Sequence, residues 1–313
     1  MSNTMKEAVV RKTRLERKFD RLKAREEAGQ VKAEIGSRMV RKLINNRLAL
    51  GGMIFVTVVI LAAIFAPVVC RYEPLKLDLR NILAAPSRAH ILGTDQLGRD
   101  IFARIIYGGR VSILVGLGSA LGAAVLGVGI GTYTGYRGGL LDSLFLRLSE
   151  IVMAFPQIIL VLMLVAIAGQ GLMNLILIFT FTGWGGIYRM TRARMLSLRE
   201  EEYVQALQAF GLSRVKISYK HILPNAIGPI MVNITLSTAM FILQEAALSF
   251  LGLGVPLNIA TWGNIVNIAQ DLRYLTDYWW LWMPGAAMIS LFVLGINFIG
   301  DGLRDSTDPT QQG

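Results

Sequence analysis

The chain is poor in residues that do covalent chemistry. Among 313 residues it has one Cys, Cys70, and two His, which excludes an intrachain disulfide framework and a Cys/His zinc cluster. No Gly-Lys dipeptide occurs, so no Walker A loop can cradle a nucleotide, and HExxH and GxSxG are absent as well. Carriers driven by protons or sodium keep a carboxylate or Lys at membrane depth. Here the one candidate is Glu245, at the end of a predicted span. The expectation is a chain with no catalytic residue, no metal site and no cofactor of its own. Such a protein is passive, or it takes energy from a partner.

The residues whose spacing does suggest a task lie between 189 and 224. Ser197-Leu198-Arg199-Glu200 reads as a capping box, and Glu200, Glu201 and Glu202 then sit at the positive end of a helix dipole. Tyr203, Leu207 and Phe210 recur at i, i+4 and i+7, predicting one apolar stripe. Gly211 reads as a helix stop, Ser213 as the cap of a second short helix over 214–223, and Pro224 as its end. The result would be a two-helix hairpin with a small apolar face beside basic residues. Attached to membrane helices at both ends, it has the properties of a lever.

The elements that must hold this hairpin are apolar. With 53% hydrophobic and 17% charged residues and a mean hydropathy of +0.50, the chain is far from the roughly 25% charge of a soluble domain. Uncharged runs cover 48–69, 111–136, 151–188, 225–244 and 278–300. A spanning helix takes about 20 residues, so the 38-residue run 151–188 reads as two spans broken at Gly169-Gln170-Gly171. The fold class expected is an all-α integral membrane protein with six transmembrane helices. A further uncharged stretch, 246–270, carries Gly252, Gly254, Pro256 and Gly263, and reads as a short broken helix plus loop near the outer surface.

With the N-terminus inside, the inner segments hold 24 Lys and Arg and the outer ones 8, which predicts both termini in the cytoplasm. The basic segment 1–47 reads as a solvated stretch, helical from about Glu7 to Glu27 and held near anionic lipid, with no aromatic interleaving for nucleic acid. Segment 48–110 takes the first span and an outer stretch, 111–300 the five-helix core, and 301–313 a cytoplasmic tail. In the outer stretch, Leu97, Ile101, Ile105 and Tyr107-Gly108 predict an amphipathic helix on the membrane face with its Arg heads snorkelling. The second span repeats GxxxG at 118/122, 127/131 and 131/135, a pattern for close helix packing.

The stretch 203–225, YVQALQAFGLSRVKISYKHILPN, resembles the EAA loop of type I ABC importer permeases: EAA, three residues, Gly, nine residues, I-x-L-P. Ala206, Gly211, Leu223 and Pro224 match at the right spacing, while Gln205, Leu207 and His221 depart from the family residues. Gly93–Asp100 with Arg104, Arg110 and Ser112 resembles the segment before the second helix of dipeptide, oligopeptide and nickel permeases. Glu245–Gly254 with Trp262-Gly263, and Asn297 with Gly300–Asp305 and Asp308-Pro309, are similar to further blocks of that branch, so the likeness runs from about Asn46 to Pro309.

The resemblance implies the type I ABC importer transmembrane fold in a bacterial cytoplasmic membrane. It implies a second homologous permease subunit, two ABC ATP-binding subunits that bind ATP and Mg, and an extracytoplasmic solute-binding protein. Glu202, Tyr203, Gln205, Ala206, Leu207, Phe210, Gly211, His221, Leu223 and Pro224 would form the loop that docks on an ATPase. Asp95, Arg99, Asp100 and Arg104 would contact the solute-binding protein. Di- or oligopeptides are the solute expected, with nickel or another small solute as the alternative. A passive channel or membrane scaffold is the reading from a different class.

Overall fold

Apolar runs become helices only between the residues that cap and break them. A computed structural model of the chain describes residues 42–307; the helix expected over 7–27 lies outside the described residues. Helix α1, Arg47–Ile64, begins where the Asn46 side chain accepts from the Leu48 and Ala49 N–H groups at 3.1 and 3.2 Å, and α2, Ala66–Val69, prolongs it. An irregular segment, 71–100, leads to α3, Ile101–Arg137, which opens on Asp100 accepting from the Ala103 N–H at 2.7 Å. Helices α4, Gly139–Ala154, and α5, Gln157–Ala168, meet at an 89° bend. Then come α6, Leu172–Leu198, α7, Glu202–Ala209, and α8, Arg214–Lys216. A π-helical turn, Ile217–Ile222, joins α8 to α9, Leu223–Phe250. Short helices α10, Trp262–Val266, and α11, Leu272–Asp277, precede α12, Met283–Thr307.

Four helical stretches are long and apolar enough to cross a membrane: Arg47–Ile64, Ile101–Arg137, Arg214–Phe250 and Met283–Ser306. The bent α4–α5 pair makes five if it counts as one span. The expected six are therefore not all met by length and composition. The third expected span fails as a single helix because Pro156 drives Phe155 into extended backbone (φ −88°, ψ 140°), so 151–154 belong to α4 and only α5 continues. The fourth lies within α6, which is long enough but carries Arg189, Arg192 and Arg194 in its second half.

Helix α3 is the central post, flanked by α1, α6 and α9. The glycines of its GxxxG pairs face α6: a Cβ on Gly127 would stand 2.8 Å from the Trp184 oxygen and the Tyr188 nitrogen, and one on Gly131 2.9 Å from the Tyr188 oxygen. The GxxxG pattern thus serves packing within the chain, backbone against backbone. Asp142 of α4 ties that helix to α6 through two bonds of 2.6 Å from Arg192 Nε and Nη2.

Two boundaries differ from expectation. The fifth span runs on past Gln244 to Phe250, since nothing in Glu245–Phe250 breaks a helix, and the broken stretch starts only at Leu251. The amphipathic helix expected around 97–108 is the first part of α3 itself. Its Arg heads do not snorkel: Arg104 is 4% exposed and bonds Asp95, and Arg110 donates from Nε to the Ala63 oxygen at 2.5 Å and from Nη2 to the Ile64 oxygen at 2.7 Å. Arg110 so satisfies carbonyls that α1 leaves free at its end.

Candidate functional site

The hairpin between α6 and α9 is built differently from the capping box read in the sequence. Ser197 lies inside α6, which runs on to Leu198 because Met195 and Leu198 pack into a cluster with Tyr136, Val204, Ile217 and Ile222. Helix α7 starts after Glu201, which has no side-chain cap, and Gln205 Nε2 donates to the Glu200 oxygen at 3.2 Å. The stripe also divides. Leu207 turns inward beside fully buried Val204, while Tyr203, Ala206 and Phe210 face outward, Phe210 at 82% exposure. Positions i, i+3 and i+7 of α7 thus form an outward apolar patch flanked by exposed Glu202 and Gln205.

Gly211 closes α7 at φ +74°. Its N–H bonds the Gln208 oxygen at 2.9 Å and the Leu212 N–H bonds the Leu207 oxygen at 3.3 Å, the two bonds of a Schellman motif, with Leu207 and Leu212 packed in the same cluster. Ser213 then caps α8, its hydroxyl accepting from the Lys216 N–H at 3.4 Å.

Pro224 does not end the second arm. The π-helical turn Ile217–Ile222 shifts the bonding register ahead of it, and the Leu223 N–H reaches the Ser218 oxygen, so the missing N–H of Pro224 falls in the first turn of α9. One continuous helical rod, Arg214–Phe250, joins the hairpin to a membrane helix. Within it His221 is half-buried with Nε2 lacking a partner, Leu223 packs into the hairpin cluster and Pro224 is exposed. The hairpin is pinned at three points the sequence did not disclose: Tyr219 Oη donates to the Gly129 oxygen at 2.7 Å, Gln208 Nε2 to Tyr136 Oη at 3.0 Å, and Asn225 Nδ2 to Tyr203 Oη at 3.2 Å. The first two cross from the hairpin to α3 in pairs separated by many residues, which no local pattern signals.

At the opposite end of α3 the expected contact residues turn inward. Asp95 Oδ2 accepts from Arg99 Nε at 2.7 Å and Arg104 Nη1 at 2.9 Å, and Asp100 Oδ2 meets His90 Nδ1 at 2.9 Å. Asp95, Asp100 and Arg104 are at most 7% exposed, so they brace the 71–100 segment against α3 instead of presenting a face. Beside them Ile91, Gln96 and Leu97 are exposed. Beyond them, Asn81 Nδ2 at 2.8 Å and then the Arg80 N–H at 3.1 Å hold the Asp78 carboxyl below the ordinary carboxylate range.

Glu245 is fully buried beside this frame. Ser249 Oγ donates to it at 2.8 Å and Ser112 Oγ approaches its other oxygen at 3.3 Å, while the Trp262 N–H donates to Ser112 Oγ at 3.1 Å. The carboxyl thus knots α9, α3 and the 251–261 loop that leads into α10. It is a structural junction, with hydroxyl partners in place of a cation.

The chain thus combines a rod that ends in a two-helix hairpin, a bent helix pair and a long glycine-seamed post. Residues 127–312 match the family described as binding-protein-dependent transport system inner membrane component. The chain belongs to that family. Residues 36–86 match the N-terminal transmembrane domain of oligopeptide transport permease C. The oligopeptide transport system permease protein OppC of Bacillus subtilis is 41% identical over 265 residues, 85% of this chain and 86% of that protein. The dipeptide transport system permease protein DppC of Alkalihalophilus pseudofirmus is 40% identical over 269 residues, 86% of this chain and 88% of its own. In fold, the chain is similar to a chain of the MetNI methionine ABC transporter in an inward-facing conformation, with a TM-score of 0.51 at 19% identity, covering 65% of this chain and 96% of that one. As a family member the chain is a membrane-embedded permease component of an ABC importer, and its relatives bear the names of peptide permeases.

Proposed function

We propose that this chain is the permease subunit of an ATP-driven importer of di- or oligopeptides, moving solute by alternating access with no chemistry done to it. The observation that carries the reading is the hairpin: an outward apolar patch of Tyr203, Ala206 and Phe210 on a rod continuous with a membrane helix. A cleft on an ATP-binding subunit that grips this patch moves the rod with it, because helix and rod share one backbone. Glu202, Gln205, Leu207, Gly211, His221, Leu223 and Pro224 shape and support the contact. The chain is no enzyme. ATP and Mg belong to two partner ATPases, and no cofactor resides here.

A second, related permease completes the translocation path, and an extracytoplasmic solute-binding protein delivers the peptide. Asp95, Arg99, Asp100 and Arg104 serve that delivery by bracing the surface that Ile91, Gln96 and Leu97 offer. The hairpin and both termini face the cytoplasm of a bacterial inner membrane, in line with the excess of Lys and Arg on that side. In this division of the chain, segment 1–47 stays at the cytoplasmic lipid surface, 48–110 holds the first span and outer brace, 111–300 the permease core, and 301–313 the tail.

The test is uptake of a labelled dipeptide into proteoliposomes containing the permease pair, the ATPases and the binding protein. Uptake is expected only with ATP inside reach of the ATPases and with binding protein present. Peptide flux without ATP would establish the channel reading, and ATP-driven flux of nickel but not peptide would establish the metal reading.

A further inference from the structure

A cavity of about 720 Å³ lies beside the hairpin, walled in part by Tyr136, Arg137, Arg199, Glu200, Gln208 and Arg214. Gln205, at the edge of the apolar patch, also lines it, while Tyr203, Ala206, Phe210 and the junction at the opposite end do not. Three guanidinium groups line it against one carboxylate. Glu200 Oε1 pairs with Arg199 Nε at 2.8 Å. Arg137 meets the Tyr133 hydroxyl and ring, both neutral, and among the described residues neither Arg137 nor Arg214 has a carboxylate partner. Tyr136 is 7% exposed, and its hydroxyl oxygen already accepts from Gln208 Nε2 at 3.0 Å, which leaves its O–H to donate. Like charges gathered on one concave wall repel each other unless an anion enters, and the field of such a cleft concentrates anions.

We propose that this cavity is a binding site for a phosphate-bearing anion. A planar carboxylate takes one guanidinium fork. A tetrahedral phosphate, with up to three charged oxygens, can accept from Arg137, Arg214 and the Tyr136 hydroxyl on separate edges. The volume falls in the roughly 300–1,000 Å³ range of small-molecule sites, which is room for a phosphate alone or for one attached to an organic body. The walls come from the last turn of α3, the α6–α7 connection, α7 and the start of α8. An occupant therefore bridges the central post and both arms of the lever, and its binding restrains the motion that the hairpin would pass to α9. Two sources supply this chemistry: the headgroup of an anionic lipid, since Arg137 ends an apolar span, or a soluble phosphate compound.

The full chain in its native complex is the sample. Isothermal titration with inorganic phosphate tests the soluble source. Native mass spectrometry after exchange into phosphatidylcholine nanodiscs doped with phosphatidylglycerol tests the lipid source. Saturable binding of either probe is expected, weakened at least tenfold by Arg137→Gln with Arg214→Gln and less by the Lys pair, which keeps charge but loses the fork. Retention of phosphatidylglycerol alone assigns a lipid, and saturation by phosphate a soluble ligand. If neither probe saturates, or if the Gln pair binds as tightly as the parent, the site does not exist; a monodisperse complex from the Lys pair separates that result from misfolding.

Discussion

The two ends of α3 hold similar residue types to opposite purpose. At its start, Asp95, Asp100, Arg104 and the nearby Glu245 are buried and spend their hydrogen-bonding capacity on each other, on His90 or on Ser112 and Ser249. At the hairpin end Phe210, Tyr203 and the wall of guanidinium groups stay open. A satisfied buried network fixes one geometry and gains nothing from an outside partner, whereas an exposed apolar patch is stabilised when a partner covers it. One end is therefore a closed frame, and the other is an open surface that the proposed function makes the handle.

Substitutions that break this contrast should damage stability at the frame and transport at the handle. The largest effect is expected from Asp95→Ala, which leaves Arg104 buried without its carboxylate at a cost of about 3–5 kcal/mol. Purified protein should unfold at a clearly lower temperature, and an unchanged melting curve would mean the pair is not buried as described. Glu245→Ala follows, at about 1–3 kcal/mol for the stranded Ser112 and Ser249 hydroxyls, whereas Glu245→Gln keeps an acceptor and should lose less than half as much. Equal loss in both variants would count against the knot.

Gly211→Val comes third. No atom lies within 4 Å of a Cβ built there, so the cost is backbone strain at φ +74°, about 1–2 kcal/mol. The protein should still reach the membrane, yet ATP-driven uptake and copurification of the ATPase should fail; wild-type uptake would detach the hairpin from coupling. Phe210→Ala should be nearly silent in stability, within about 0.5 kcal/mol, because the ring is exposed. It should still weaken ATPase association several-fold in a pull-down, and intact association would remove Phe210 from the docking patch.

Legibility in the sequence followed the range of the interactions. The Schellman end at Gly211 and the cap at Ser213 were readable, because each depends on residues within a few positions. The inward turn of Leu207 beside Val204 was not, since the apolar spacing of Tyr203, Leu207 and Phe210 suits either face and only the neighbouring Tyr136, Ile217 and Ile222 choose between them. The capping box at Ser197 misled for the same reason: its local preference was overruled by the packing of Met195 and Leu198.

Composition and uncharged runs alone determined that this chain lives in a membrane, because solvent preference needs no folded context. Local spacing determined where the hairpin turns. Only the tertiary structure decided that the Arg residues at the start of α3 are internal braces, that α3 and α6 meet through glycine, and that the hairpin's second arm is the root of α9. Those outcomes depend on partners some 9 to 90 residues apart, brought together by burial and hydrogen bonding across elements, and short-range periodicity carries no record of them.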